Sequence, residues 1–453
     1  MPYRDDPATV RALSPLLASR RPEQPSRRIV IISASVGAGH DGAAAELARC
    51  LEADGFRVER HDFLDLLPAR LGSLLSATYH RLLDWAPVGY QRIYAATEHT
   101  GRTAPGVRAL LRSAERRTLR AISPDTCAVV STYPGASQVL GRLRQQGRLT
   151  VPAITYLTDF SVHSLWVAPG IDTHLAVHEV PAGQARAQGA AAITVTGPLV
   201  ATRFAPATEA GRRAARARWG LPEQAPLALL VAGSWGVGPI EEVAAEIQGG
   251  GAAVPVVVCG RNQALAERMR RNGVQHVHGW VEDMPALMSA ADVLVQNAGG
   301  LTSLEAFASG LPVASYRCIP GHGQTNAAAL QEAGLAAWIR ESADLHPVLT
   351  ELMAGPLGRQ QRVGGLELFG RTAGPAQAVA AAAGHTAISP RTASARHPVL
   401  RAARRPARPG MPVMAAAVAA TLAFGIGAPL AEAYGDSPAR LASLARLLGG
   451  DRR

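Results

Sequence analysis

The chain contains no lysine: all 46 of its basic residues are arginine. Against 35 acidic residues this leaves a formal net charge of +11 and an isoelectric point near 10.3. Arginine is a forked donor suited to phosphate and carboxylate. The balance therefore points to nucleic acid, an anionic membrane surface or phosphorylated substrates as partners. Aromatic residues are scarce too, at 5%. A nucleic-acid binder is expected to set its arginines near aromatics. The densest arginine cluster here abuts an apolar run instead, so nucleic acid is not an expected partner. Cysteine is limited to Cys50, Cys127, Cys259 and Cys318, far apart and without a CxxC pair. That spacing argues against a zinc site or a disulfide framework and fits a reducing compartment. No Asp-x-Asp element stands near a strand end, so neither a divalent ion nor any other cofactor is expected. Residues 1–27 are polar and rich in Arg and Pro, with no apolar signal core. They read as a flexible leader, and the catalytic part is expected to stay in the cytoplasm.

What is present is an α/β pattern met twice. With 453 residues, 47% of them hydrophobic, the chain can build two substantial cores. Arg28 to Ile32 reads as a buried strand, followed by a glycine-rich turn, a helix over Ala43 to Ala53 and a strand at Phe56 to His61. Further strands are expected at Cys127 to Ser131, Pro152 to Leu157 and Thr173 to Val177. The pattern restarts with a strand at Pro226 to Val231 and the turn Gly233 to Gly238. A helix at Ile240 to Ile247 and strands at Val254 to Cys259 and Val293 to Val295 follow. Alternating strands and helices imply parallel sheets with helices on both faces. The spacing predicts domains at 28–203 and 204–380, joined near residues 200 to 225, with the ligand cleft between them. Residues 381–453 form an Arg-, Ala- and Pro-rich tail with ten arginines against three acids. An uncharged apolar segment, 411–431, follows directly on Arg401, Arg404, Arg405 and Arg408. It is long enough to span a membrane or to lie on one.

Four stretches could carry chemistry. Gly37-Ala38-Gly39-His40-Asp41-Gly42 fits a dinucleotide fingerprint, with Asp62 twenty residues on. It also fits a helix N-terminus that faces the cleft and keeps His40 neutral, able to accept a proton. Asn297 to Glu305 supplies Gly299, Gly300, Leu301, Thr302 and Ser303 as an anion site at a helix start. There Glu305 either meets the two hydroxyls of a ribose or closes a Thr302-x-x-Glu305 capping box. Ile319 to Asn326 offers Gln324 and Asn326 as amides for sugar hydroxyls, or a plain turn with Asn326 as N-cap. Thr155 to His163 ends a strand in a polar loop, where Asp159 and His163 form either an acid–base pair or a structural hydrogen bond.

These residues resemble the monogalactosyldiacylglycerol synthase and processive diacylglycerol glucosyltransferase family. They are similar, more distantly, to the lipid II-forming N-acetylglucosaminyltransferase. The matching stretches are Ser33 to Ala44, Ser131 to Pro134, Thr158 to Trp166, Thr196 to Pro198, Gly233 to Gly238, Gly279 to Glu305 and Pro320 to Asn326. The resemblance implies a GT-B fold, two Rossmann-like doubly wound domains facing a cleft. It implies inverting, metal-free transfer of a hexose from a UDP-sugar to a lipid acceptor, diacylglycerol foremost. Gly279 and Val281 would lie by the uracil and Gly299 to Ser303 by the diphosphate. Glu305 would take the ribose, and Gln324 and Asn326 the sugar. His40 would be the base, with Gly39, Asp159 and His163 on the acceptor side. The chain departs from the family at Trp235, where small residues are common, and in the Gly323-Gln324-Thr325-Asn326 run. A soluble acceptor, an epimerase, or lipid or nucleotide binding without turnover are the rival readings.

The tail carries its own expectation. Each arginine beside an anionic leaflet contributes about 1 kcal/mol, and insertion of the apolar segment adds to it. Full-length protein should therefore co-sediment with anionic vesicles at low salt. Recovery wholly in the supernatant would remove the tail as a membrane element.

Overall fold

The computed structural model describes residues 27–35, 37–68, 105–370 and 374–384. The expected leader and the apolar segment 411–431 lie outside the described residues. The N-terminal half runs β1 (Arg28–Ser33), α1 (Ala38–Ala53), β2 (Arg57–Asp62), α2 (Pro105–Ala121), β3 (Thr126–Ser131), α3 (Pro134–Gln145), β4 (Ala153–Tyr156), β5 (Thr173–Ala176), α4 (Glu179–Ala187) and β6 (Ile193–Val195). The C-terminal half continues with α5 (Glu209–Arg218), β7 (Leu227–Val231), α6 (Ile240–Gly250), β8 (Val254–Val258), α7 (Gln263–Arg271), β9 (His276–His278), α8 (Met284–Ala290), β10 (Val293–Gln296) and α9 (Leu301–Ala308). It closes with β11 (Val313–Tyr316), α10 (His322–Glu332), β12 (Ala337–Ile339), α11 (Leu345–Ala354), α12 (Pro356–Glu367) and α13 (Pro375–Gly384).

Each half is a six-stranded sheet, ordered β2-β1-β3-β4-β5-β6 and β12-β11-β10-β7-β8-β9. Every strand pair is parallel. Central strands such as β1 and β7 are apolar runs because both their faces are covered by helices; Ile29 to Ile32 and Leu227 to Leu229 are fully buried. Strand order reverses between β1 and β3 in one sheet and between β7 and β10 in the other. Loops leaving adjacent strands at such a reversal diverge to opposite faces, and the crevice between them is where ligands enter an open α/β sheet. These are the GT-B layers expected from the sequence.

Three boundaries differ from the sequence reading. Helix α1 begins at Ala38, five residues before the expected start, so the glycine-rich motif forms its first turn rather than a preceding loop. Gly37 is its extended N-cap. Propensity disfavours glycines there, but a side chain at Gly42 would collide with Leu301: an added Cβ comes within 2.5 Å of Leu301 Cδ2. Packing between the halves therefore overrides local preference. The link near 200 to 225 contains α5, and its buried Arg216 donates to the carbonyls of Ala290, Pro222, Glu223 and Ala225 and pairs with Asp292. The third difference lies at the C-terminal boundary. Residues 375–384 straddle the expected limit at 380, yet they form one helix, α13. It crosses back to the first sheet, where Ala376, Val379 and Ala383 share a core with Ile29 and Ile31. Arg27 donates to the Ala383 carbonyl at 2.7 Å. No helix among the described residues is long and apolar enough to cross a membrane.

Because α13 packs on the half opposite to its chain neighbours, it should clamp the two together. Val379→Ala removes two fully buried methyl groups and should cost roughly 1.5–3 kcal/mol in denaturant unfolding. A loss below about 0.5 kcal/mol would show that the crossing helix contributes little.

Candidate functional site

One cleft of about 690 Å³ opens between the two sheets, and it is lined by the loops that leave their carboxyl ends. From the N-terminal half come Gly37 to His40 after β1, Pro134 after β3 and the loop Thr158 to Trp166 after β4. From the C-terminal half come Gly233 to Val237 after β7, Trp280 to Met284 after β9, Asn297 to Glu305 after β10, and His322.

The N-terminal wall is built around His40, in the first turn of α1. Its Nδ1 lies 3.0 Å from Thr158 Oγ1, and its carbonyl accepts from Thr132 Oγ1 at 3.2 Å. The ring is held edge-on to Tyr133, with centroids 5.4 Å apart, and tilted against Trp166 at 5.9 Å. With Nδ1–H donated to Thr158, Nε2 keeps its lone pair and can take a proton. Asp41 points away, accepting from Ser33 Oγ. Asp62, the carboxylate that a dinucleotide fingerprint would place on a ribose, instead accepts from the backbone N–H groups of Ser35 and Leu64. Asp159 and His163 both face the cleft, each with its own partner. Asp159 Oδ2 accepts from Trp166 Nε1 at 3.2 Å, while His163 Nδ1 caps a short turn by accepting from Leu165 N–H at 3.3 Å. Burial pushes His163 down to about 4, against the opposing pull of Asp159.

The C-terminal wall centres on the start of α9. Gln296, at the end of β10, accepts from the N–H groups of Ala298 and Gly299 and donates to Ser315 Oγ, which shapes the turn. Gly300 is the N-cap of α9 and uses no side chain for it. Thr302 therefore lies inside the helix, and the capping-box reading of Thr302 and Glu305 does not apply. The first backbone N–H groups of α9 have no carbonyl one turn behind them, so they remain available to an anion. Ser303 Oγ is buried and unpartnered among the described residues. Glu305 lies deeper on the same helix. Burial pushes its carboxyl up to about 8, and Arg203 is the cation that opposes this. At the cleft rim the Arg261 guanidinium lies over both Trp280, at 4.6 Å, and Trp235, at 5.5 Å.

The cleft thus brings together Gly39, His40, Asp159, His163, Val281, Gly300, Leu301, Thr302 and Glu305 of the expected residues. Gly279, Gly299, Ser303, Gln324 and Asn326 stand behind or beside its lining. Asn326 is not an N-cap but an inner residue of α10, fully buried. Its Oδ1 accepts from Ser161 N–H at 2.8 Å and its Nδ2 donates to the Ala298 carbonyl at 3.1 Å, so both ends of the amide are engaged. Sequence reasoning missed Thr158, Arg203, Trp235, Arg261 and His322 as side chains of the site. His322 stood in a quoted loop without a role; Arg203 and Arg261 carry no local signal, since only the fold brings them to the cleft.

Comparison with known proteins agrees with this fold. Residues 40–200 match the family model described as monogalactosyldiacylglycerol (MGDG) synthase, and residues 239–345 match that of glycosyl transferases group 1. A processive diacylglycerol beta-glucosyltransferase of Bacillus cereus is 24% identical over 339 residues, covering 70% of this chain and 83% of its own length. The chain is a GT-B glycosyltransferase, and its N-terminal half is similar to the monogalactosyldiacylglycerol synthase family. Among solved structures, Medicago truncatula UGT71G1 complexed with UDP-glucose superposes with a TM-score of 0.52 at 13% identity, covering 79% of this chain and 97% of its own. SsfS6, a glycosyltransferase of Streptomyces sp. SF2575, gives 0.50 at 15% identity, covering 78% and 99%. At these identities the two structures speak for the fold alone.

The glycosyltransferase should show the burial of Glu305 in its pH dependence. The folded pKa lies above the ordinary 4.5, so the folded state keeps a proton that the unfolded chain releases. Stability contributed by the protonated form is complete below about 4.5 and is lost as pH rises towards about 8. Glu305→Gln should therefore match the parent below pH 5 and exceed it above pH 8, by roughly 1–3 kcal/mol since cleft water reaches the carboxyl. Equal stability at both pH values would rule out a buried, uncompensated carboxyl.

Proposed function

We propose that this glycosyltransferase moves a hexose from a UDP-sugar to a lipid hydroxyl, with diacylglycerol as acceptor and inversion at the anomeric carbon. The observation that carries this reading is the pairing of two helix N-termini across one cleft. The first turn of α1 presents a histidine, and the first turns of α9 present an open anion turn followed by a carboxylate. A base facing an anion site is what transfer from a nucleotide diphosphate needs. The relative's name supports the acceptor and the stereochemistry. That name gives a beta linkage, which from the α-linked UDP-sugar proposed here as donor would be an inversion. The MGDG synthase match also falls on residues 40–200, the half that carries His40.

In the reaction proposed, His40 Nε2 removes the proton of the acceptor hydroxyl. The oxygen attacks C1 as the bond from C1 to the diphosphate oxygen breaks. UDP leaves with its charge met by the N–H groups of Leu301 and Thr302 and by the positive end of α9, so no divalent ion is required. Glu305 is assigned to the ribose hydroxyls, Val281 with Trp280 to the base, and Gly299, Gly300 and Ser303 to the shape of the anion turn. Gly279 and Gln324 support the base and sugar sides from outside the lining. Asp159 and His163 shape the acceptor wall. A cytoplasmic enzyme bound to an anionic membrane surface through its arginine-flanked tail would reach such an acceptor where it resides.

Release of UDP from a panel of UDP-sugars, with and without diacylglycerol vesicles, tests the reading. Lipid-dependent release is expected, and His40→Ala should lower turnover roughly 10²- to 10⁴-fold while UDP affinity changes little. Near-normal turnover in that variant would remove His40 from the mechanism. Release unaffected by lipid would exclude the lipid acceptor.

A further inference from the structure

Among the described residues, His322 is the one imidazole that the C-terminal half contributes to the cleft lining, and the proposed reaction does not use it. It is the first residue of α10. Its carbonyl accepts from Thr325 Oγ1, which in turn lies 2.8 Å from Ser161 Oγ of the other half. The turn beside it is pressed against the anion turn. A Cβ on Gly323 would come within 2.5 Å of the Asn297 carbonyl oxygen, and Asn326 of the same helix bonds the Ala298 carbonyl. His322 therefore stands next to the turn that leads into α9.

We propose that His322 is a nucleotide-contacting residue that takes up one proton from solvent as the diphosphate settles on the anion turn, and returns it when UDP leaves. The idea rests on the nucleotide-sugar reading of the cleft. Asp159, from the loop after β4, faces the imidazole and favours its charged form, while His40, on α1, opposes it. His163, Arg203, Glu282 and Glu305 are the other titratable or charged groups of the cleft lining. Enclosure outweighs Asp159 and holds His322 down at about 4. A diphosphate brings negative charge to the same place, and an opposite charge at close range raises such a pKa by about 1–3 units. The protonated ring then adds a positive charge to the departing UDP without any metal. By linkage, affinity for UDP should weaken as pH rises from about 4 through the higher pKa of the bound form.

The test is titration calorimetry of UDP into the full-length protein at pH 5.5, in two buffers of different ionisation enthalpy, which counts protons exchanged. A rise of about 1–3 units from about 4 corresponds at pH 5.5 to roughly 0.2–0.9 proton, which wild type should take up beyond H322Q, a comparison that cancels any proton lost by UDP itself. H322N serves as the second variant if H322Q does not fold. Equal proton counts in wild type and a folded His322 variant, both binding UDP, would overturn the proposal. Absence of UDP binding to wild type would overturn the nucleotide-site reading, and this proposal with it.

Discussion

The side-chain amide of Asn326 is the contact on which the shape of the cleft depends. It is fully buried, and it accepts from the Ser161 backbone of one half while donating to the Ala298 carbonyl of the other. Each such bond is worth only about 0.5–1.5 kcal/mol net, but leaving a buried amide unpaired costs about 1–3. The amide can therefore be satisfied only when the loop after β4 and the turn before α9 sit at this separation. Leu301 packing against the glycines of α1 sets the same distance a few residues away. Helix α13 ties the second half back to the first sheet from behind.

With the walls fixed, the character of the site follows from enclosure. Partial enclosure drives Glu305, His163 and His322 each towards its neutral form. Such a cleft holds little fixed side-chain charge of its own and relies on backbone dipoles at the two helix starts. That arrangement suits a ligand that brings its own negative charge, since the dipoles are already oriented.

The glycines of the first motif illustrate how one pattern serves different ends. In a dinucleotide site they would let backbone approach a pyrophosphate. Here Gly42 makes room for Leu301 of the opposite half.

The two-domain α/β plan was legible in the chain, because strands such as Arg28–Ser33 and Leu227–Val231 must be apolar throughout when helices cover both faces. The loops that carry His40, Asp159 and Gly299 to Glu305 were legible too, since glycines and polar residues at strand ends interrupt that pattern. Tertiary structure alone decided the rest. It made Asn326 a tie between halves rather than a cap, because the partner Ser161 lies 165 residues away. It started α1 at Ala38, because packing on Leu301 outweighs the low helix propensity of glycine. It turned residues 375–384 back to the first sheet, and it set His322 beside both Asp159 and the anion turn. Local sequence records the preferences of a segment, whereas a residue's charge, partner and burial depend on what distant segments bring to it.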